Sequence, residues 1–133
     1  MADQRIPLLL NIPAKVRFVS LEPLLGPVDV MAYALSFDHA DNCRNEHCAL
    51  AGGPDDCAGV VLPGLDWVIV GGESGPRRRD CAGGVNDIRD AAVRAKQAGI
   101  PVFVKQDCAA MPGQQGRIPD DVWGWKEFPE VVI

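Results

Sequence analysis

The sequence predicts an α/β fold built on a parallel sheet of about three strands and interrupted by a cysteine-rich insertion. Three observations carry this. Short apolar runs at residues 16–21, 67–70 and 100–104 are rich in Val, Ile and Phe and read as buried strands. An amphipathic stretch at 87–98 joins the second run to the third through short turns. That is a βαβ unit, which makes its strands parallel with a right-handed crossover. Between the first and second runs, residues 36–64 lose all periodicity and hold His39, Cys43, His47, Cys48 and Cys57.

In chain order, residues 2–10 suit the end of a helix, with Ile6, Leu8, Leu9 and Leu10 apolar, although Pro7 fits only near a helix start. Val16, Phe18 and Val19 make the first strand, which stops at Glu22 and Pro23. Residues 28–35 fit a short strand or a helix equally. A structureless stretch as long as 36–64 is unusual inside a compact domain and implies something that ties it down. Trp67, Val68, Ile69 and Val70 then run into a glycine turn and a charged cluster, LDWVIVGGESGPRRR. Asn86 is placed to cap the helix at 87–98, where Ile88, Ala92 and Ala95 share a face and Gly99 stands at its end. The third strand leads into Lys105 and Gln106. Trp123, Trp125 and Phe128, between Pro119 and Pro129, read as an apolar cap.

The 133 residues suffice for one domain over 1–133 with a single core. The formal charge, 13 − 18 = −5, excludes a chain built to grip polyanions, and makes nucleic acid a poor partner. Arg77, Arg78 and Arg79 are the basic exception; a solvated loop is the plain reading and a phosphate or acidic partner the other. No run approaches the length of a membrane span, and no signal peptide is evident. A cytoplasmic chain with reduced cysteines is expected, and five of them cannot close a disulfide framework.

At these residues the chain resembles the phage Gp37/Gp68 family, a domain of unknown function. VRFVSLEPLLGPVDV, LDWVIVGGESGPRRR, a helix ending in AGIPVFVKQ and a closing RIPDDVWGWKEFPE carry the resemblance, in that order. It implies kinship with radical S-adenosylmethionine enzymes and a partial TIM-barrel-like sheet, of which this chain matches the C-terminal half. The cysteine motif that holds an iron–sulfur cluster in longer members is absent, so no such cluster is expected here. Gly71, Gly72 and Glu73 fall too late to be those enzymes' cofactor-binding GGE. Where the family carries Trp after KQ, this chain has Asp107 and Cys108. Three strands alone would leave parallel edges unpaired and an inner face bare. The expected partner is a second copy or a separately encoded N-terminal half in the host cytoplasm.

Three groups of residues are candidates for chemistry. Parallel strands place Glu22, Glu73 and Lys105 at one sheet edge, where α/β folds bind ligands; Gly71, Gly72, Ser74 and Gln106 complete the candidate ligand set. A structural ion pair is the plain alternative. Cys43, His47, Cys48 and Cys57 have ligand types that suit zinc, although their spacing is not paired CxxC; a disulfide or free thiols are the alternatives. Cys81 and Cys108 each follow a strand end, with no histidine nearby in sequence to act as a base, and read as small buried thiols. No catalytic residue is assigned. The expected function is that of a non-catalytic half acting by association; a small-molecule enzyme with its site at the strand ends, or a zinc-stabilised host-interaction module, are the alternatives.

Overall fold

The computed structural model describes residues 2–33, 64–78 and 84–130. Within them the elements are α1 (Ala2–Leu10), β1 (Phe18–Leu21), a 3₁₀ turn (Met31–Tyr33), β2 (Trp67–Gly71), α2 (Gly84–Gln97), β3 (Val102–Gln106) and α3 (Asp120–Trp123). The three strands lie side by side in chain order, all parallel. The chain is therefore mixed α/β with a small parallel sheet. Among the described residues no helix is long and apolar enough to cross a membrane.

Register decides what each face does. Val19 pairs with Val68 and Val68 with Val102; Leu21 pairs with Val70 and Val70 with Val104. Side chains alternate along a strand, so these six share one face. Ile88, Ala91, Ala92 and Ala95 of α2 pack on it, and the small alanines let the helix approach closely. Val68, Val70, Val102 and Val104 are wholly buried, each worth about 2 kcal/mol of transfer free energy. Val19 and Leu21, on the edge strand, are only half-buried.

Element boundaries moved where local bonds outweighed the apolar pattern. β1 starts at Phe18 rather than at Val16, because Arg17 N–H donates to the Asp66 carboxylate at 2.6 Å and Arg17 C=O accepts from Asp66 N–H at 2.8 Å. α2 begins at Gly84, so Asn86 lies inside its first turn and is not its cap. The helix ends as expected: Gly99 takes φ +76, and Ile100 N–H and Gly99 N–H return to the carbonyls of Ala95 and Lys96. That exit consumes Ile100, and β3 starts at Val102, which brings Lys105 and Gln106 into the strand. Pro7 is tolerated within α1, where the bond it removes is the one to the Asp3 carbonyl in the first turn.

The described residues of the β1–β2 crossover are 22–33 and 64–66. Leu24 N–H donates to Gly71 C=O at 3.0 Å, and Leu24, Val30 and Leu65 are buried in the core. Residues 28–30 are irregular, with Val30 N–H donating to Val28 C=O at 3.2 Å, and 31–33 form the 3₁₀ turn, so these positions are neither strand nor α-helix. Leu65 N–H then donates to Tyr33 C=O at 3.0 Å. This bond ties together the described residues on either side of 34–63. Replacing residues 34–63 by a short Gly/Ser linker is expected to leave a cooperative unfolding transition, with the midpoint temperature lowered by no more than about 5 °C. Differential scanning calorimetry checks it; loss of the transition would mean that those residues build the core.

The expectation of two open sheet edges fails at β3. Val104 N–H donates to Trp125 C=O at 2.9 Å and Glu127 N–H to Val102 C=O at 3.0 Å, with Lys126 bridged antiparallel to Phe103. The closing segment therefore caps this edge. Trp123 and Trp125 pack on the core, as an apolar cap should. Lys126 stands 3.4 Å over the Trp123 ring and donates to Val104 C=O; burial holds its pKa below the ordinary lysine value. β1 forms the other edge, and nothing among the described residues pairs with its outer side.

Candidate ligand site at the strand ends

On the face away from α2, the ends of the three strands form one row. Glu22 follows β1, Gly71 ends β2 and Lys105 stands in β3. Gly71 leaves a notch in that row. A Cβ there would lie 2.6 Å from Glu22 Oε1, so only glycine lets the carboxylate cross β2. Through this notch Glu22 Oε2 reaches Lys105 Nζ at 3.1 Å, and Ser20 Oγ donates to the same oxygen at 2.9 Å. The Glu22 side chain is 17 % exposed and that of Lys105 48 %. Oε1, by contrast, is buried with no hydrogen-bond partner. An orphaned carboxylate oxygen costs folding free energy, and native structures usually satisfy such groups.

The rest of the predicted ligand set has other work. Gln106 is buried; its amide donates to Gly72 C=O at 2.9 Å and accepts from Gly113 N–H at 2.9 Å, which fixes the loop after β3. Gly72 N–H donates to Gln106 C=O, and Ser74 is bridged in parallel to Ala109. Glu73 N–H donates to Cys108 Sγ at 3.2 Å. Thus Glu22, Gly71 and Lys105 come together as a polar group, whereas Gly72, Ser74 and Gln106 join the β2 and β3 exits to each other.

Cys108 is disulfide-bonded, which corrects the expectation of five reduced thiols; its partner sulfur lies outside the described residues, as does Cys81. Its exit from β3 runs directly over Gly72, so the position of its sulfur is set by close backbone packing. Cys43, His47, Cys48 and Cys57, the proposed zinc ligands, and His39 also lie outside the described residues. Among the described residues no three His, Cys, Asp or Glu side chains gather as a metal site. Arg77 and Arg78 are exposed in the turn after Gly75, and Arg79 is not described.

Sequence reasoning missed two members of this region. Ser20 alternates with Val19 and Leu21, so strand period alone could have put it beside Glu22. Asp107 is 2 % exposed and anchors the following loop: it accepts from Arg117 N–H at 2.8 Å, Arg117 Nε at 3.1 Å and Cys108 N–H at 2.6 Å. Its one sequence signal was that it stands where the resembled family has Trp.

Gly71→Ala tests the notch. The added methyl meets only the end of a flexible side chain, so Glu22 is expected to swing away at a cost of about 1 kcal/mol in urea unfolding. Lys105, released, should acetylate several-fold faster in mass-spectrometric footprinting. An unchanged rate would show that Glu22 does not hold it.

A family model described as "Protein of unknown function (DUF5131)" matches residues 1–126. No curated protein and no solved structure matches the chain.

Proposed function

The chain belongs to the DUF5131 family of proteins of unknown function, and we propose that it acts as the C-terminal part of a phage radical-S-adenosylmethionine-like barrel, without catalysis of its own, by association with a second chain. The observation that supports this is the asymmetry of the sheet. The β3 edge is capped by the closing segment, while nothing among the described residues pairs with the outer side of β1. Strands added only at the β1 side would continue the sheet toward a barrel. The face they would enclose is aromatic: Phe18, Trp67, Phe103 and Phe128 stack with ring centroids 5.4–6.4 Å apart. Phe18 is 48 % and Phe128 65 % exposed, an apolar patch of the kind that marks an interface. Three of the four stretches that resemble the Gp37/Gp68 family include these strands, and the fourth is the closing segment.

The partner is a second copy or a separately encoded N-terminal half. Light scattering of the purified chain, alone and co-expressed with the N-terminal half of a longer family member, tests this. A complex that Phe18→Glu abolishes is the expected result. A folded monomer that associates with neither would sink the proposal, and S-adenosylmethionine cleavage by the chain alone would sink its non-catalytic part.

A second reading is a small polar ligand held at Glu22 and Lys105. The specific observation in its favour is the buried Glu22 Oε1, which lacks a donor that such a ligand would supply.

A further inference from the structure

Of the four lysines, Lys105 alone stands at the carboxyl ends of the strands. Its Nζ donates to Glu22 Oε2 at 3.1 Å, yet nearly half of the side chain is exposed, so the amine is both paired and reachable. The next row on the same face is Ser20, Ile69 and Phe103, by register. Ser20 Oγ donates to the same Glu22 oxygen at 2.9 Å and holds the carboxylate against the amine. Among the described residues no donor reaches Oε1, so protonation of the carboxylate breaks no hydrogen bond there. The other lysines lack this setting. Lys96 pairs with Glu127, whose second oxygen is taken by Val102 N–H. Lys126 lies over the Trp123 ring, and Lys15 is exposed ahead of β1.

An amine beside a carboxylate that takes up and returns its proton is equipped to form a Schiff base with a carbonyl compound. We propose that Lys105 captures a small neutral hydroxy-aldehyde as an iminium, with Glu22 as the proton carrier; this rests on the reading of Glu22 and Lys105 as a ligand site. The Lys105 ammonium passes a proton to Glu22 Oε2. The freed lone pair adds to the carbonyl carbon, and the carbonyl oxygen takes that proton to become a hydroxyl. A second proton goes from the nitrogen to this hydroxyl by way of Glu22, the C–O bond breaks, and water leaves. An ammonium with three protons thus becomes an iminium with one, and the other two depart in the water. The positive charge stays on the nitrogen, so Glu22 remains its counter-ion, and no oxidant or reductant is consumed. Charge selects the substrate. The Glu22 carboxylate and the net charge of −5 oppose an anionic 2-oxo acid, while hydroxyls suit the carboxylate and the Ser20 hydroxyl. Capture ends at the iminium and needs no turnover.

The test uses the full chain, glyceraldehyde and sodium cyanoborohydride, which delivers hydride to the iminium carbon and fixes the adduct as a secondary amine. Peptide mass spectrometry should find Lys105 labelled about tenfold faster than Lys15, Lys96 or Lys126. Glu22→Gln should lower that labelling about tenfold and at the same time raise acetylation of Lys105 by acetic anhydride several-fold. The two rates part because an activated acyl donor needs only a released amine, whereas iminium formation needs the proton carrier. Gly71→Ala, which turns Glu22 away and leaves its charge, should show the same opposed changes and serves if the glutamine variant does not fold. A carboxylate that only holds the amine in place would, once removed, let both rates rise together, and that result overturns the proposal. So does labelling of Lys105 no faster than that of Lys15. Glycerol, which has the hydroxyls and no carbonyl, separates this proposal from the reading beneath it. Protection of Lys105 from acetylation by glycerol, with no glyceraldehyde adduct, leaves the ligand site standing and overturns the capture. Neither protection nor adduct overturns both.

Discussion

Asp107→Ala is expected to destabilise the fold by about 3 kcal/mol in urea unfolding. The carboxylate is 2 % exposed and takes donors from both sides of the loop after β3. Oδ2 accepts from Arg117 N–H and Nε, and Oδ1 from Cys108 N–H and, at 3.3 Å, from Arg117 Nη2. Truncation strands two backbone donors, each a cost of about 1–3 kcal/mol. The guanidinium loses less, because the Arg117 side chain is 54 % exposed and can turn to water. Asp107→Asn, which keeps an acceptor for Cys108, should cost about half as much and provides the measurement if the alanine variant does not fold. A loss under about 1 kcal/mol would mean that the loop is held by something else.

The same network gives the stability a pH dependence. Burial alone would raise the Asp107 pKa; the Arg117 side chain and the N–H groups of Arg117 and Cys108 outweigh it, and the folded-state pKa is lowered. A carboxyl with a lowered folded pKa binds more protons when unfolded. Its stabilisation is therefore present above the ordinary carboxylate pKa, about 4, and is lost as pH falls through the folded value. Glu127 acts in the same direction, lowered by Lys96 and by the Val102 N–H. Urea midpoints should thus fall steeply below pH ~4, and the fall should be shallower in Asp107→Asn.

What the sequence showed and what it hid divide along physical lines. The strands of a parallel sheet are apolar because both faces are covered, and composition announces that directly; β2 was placed to within one residue. The parallel order inferred from the βαβ unit also put Glu22 and Lys105 at the same end of the sheet. It could not show that Gly71 is a notch, since a close approach between distant side chains depends on register. Nor could it show that Gln106 and Asp107 are turned inward. After β3 they look like polar residues at a strand's open end, yet their partners Gly72, Gly113 and Arg117 come from other parts of the chain. The capped β3 edge was hidden for the same reason: Trp125 and Glu127 pair through their backbones, which leave no mark in composition.

Gly72→Ala separates the two glycines of the turn. They are neighbours and look alike in sequence, but the atoms opposing them differ in kind. At Gly71 a Cβ meets a carboxylate oxygen that can rotate away. At Gly72 it would lie 2.5 Å from Cys108 N, 2.6 Å from its Sγ and 2.8 Å from the Asp107 carbonyl carbon, and this backbone cannot yield without moving β3. The move would also strain two bonds that join the exits, Gly72 N–H to Gln106 C=O and the Gln106 amide to Gly72 C=O. A loss of about 3 kcal/mol or more is expected, at least twice that of Gly71→Ala. Urea unfolding of the two variants side by side measures the ratio. Equal losses would mean that the strand exits are not packed this closely and that both glycines serve only the turn. The expected inequality assigns Gly72 to the scaffold and leaves Gly71, with Glu22 and Lys105, as the part of the motif free to meet a ligand.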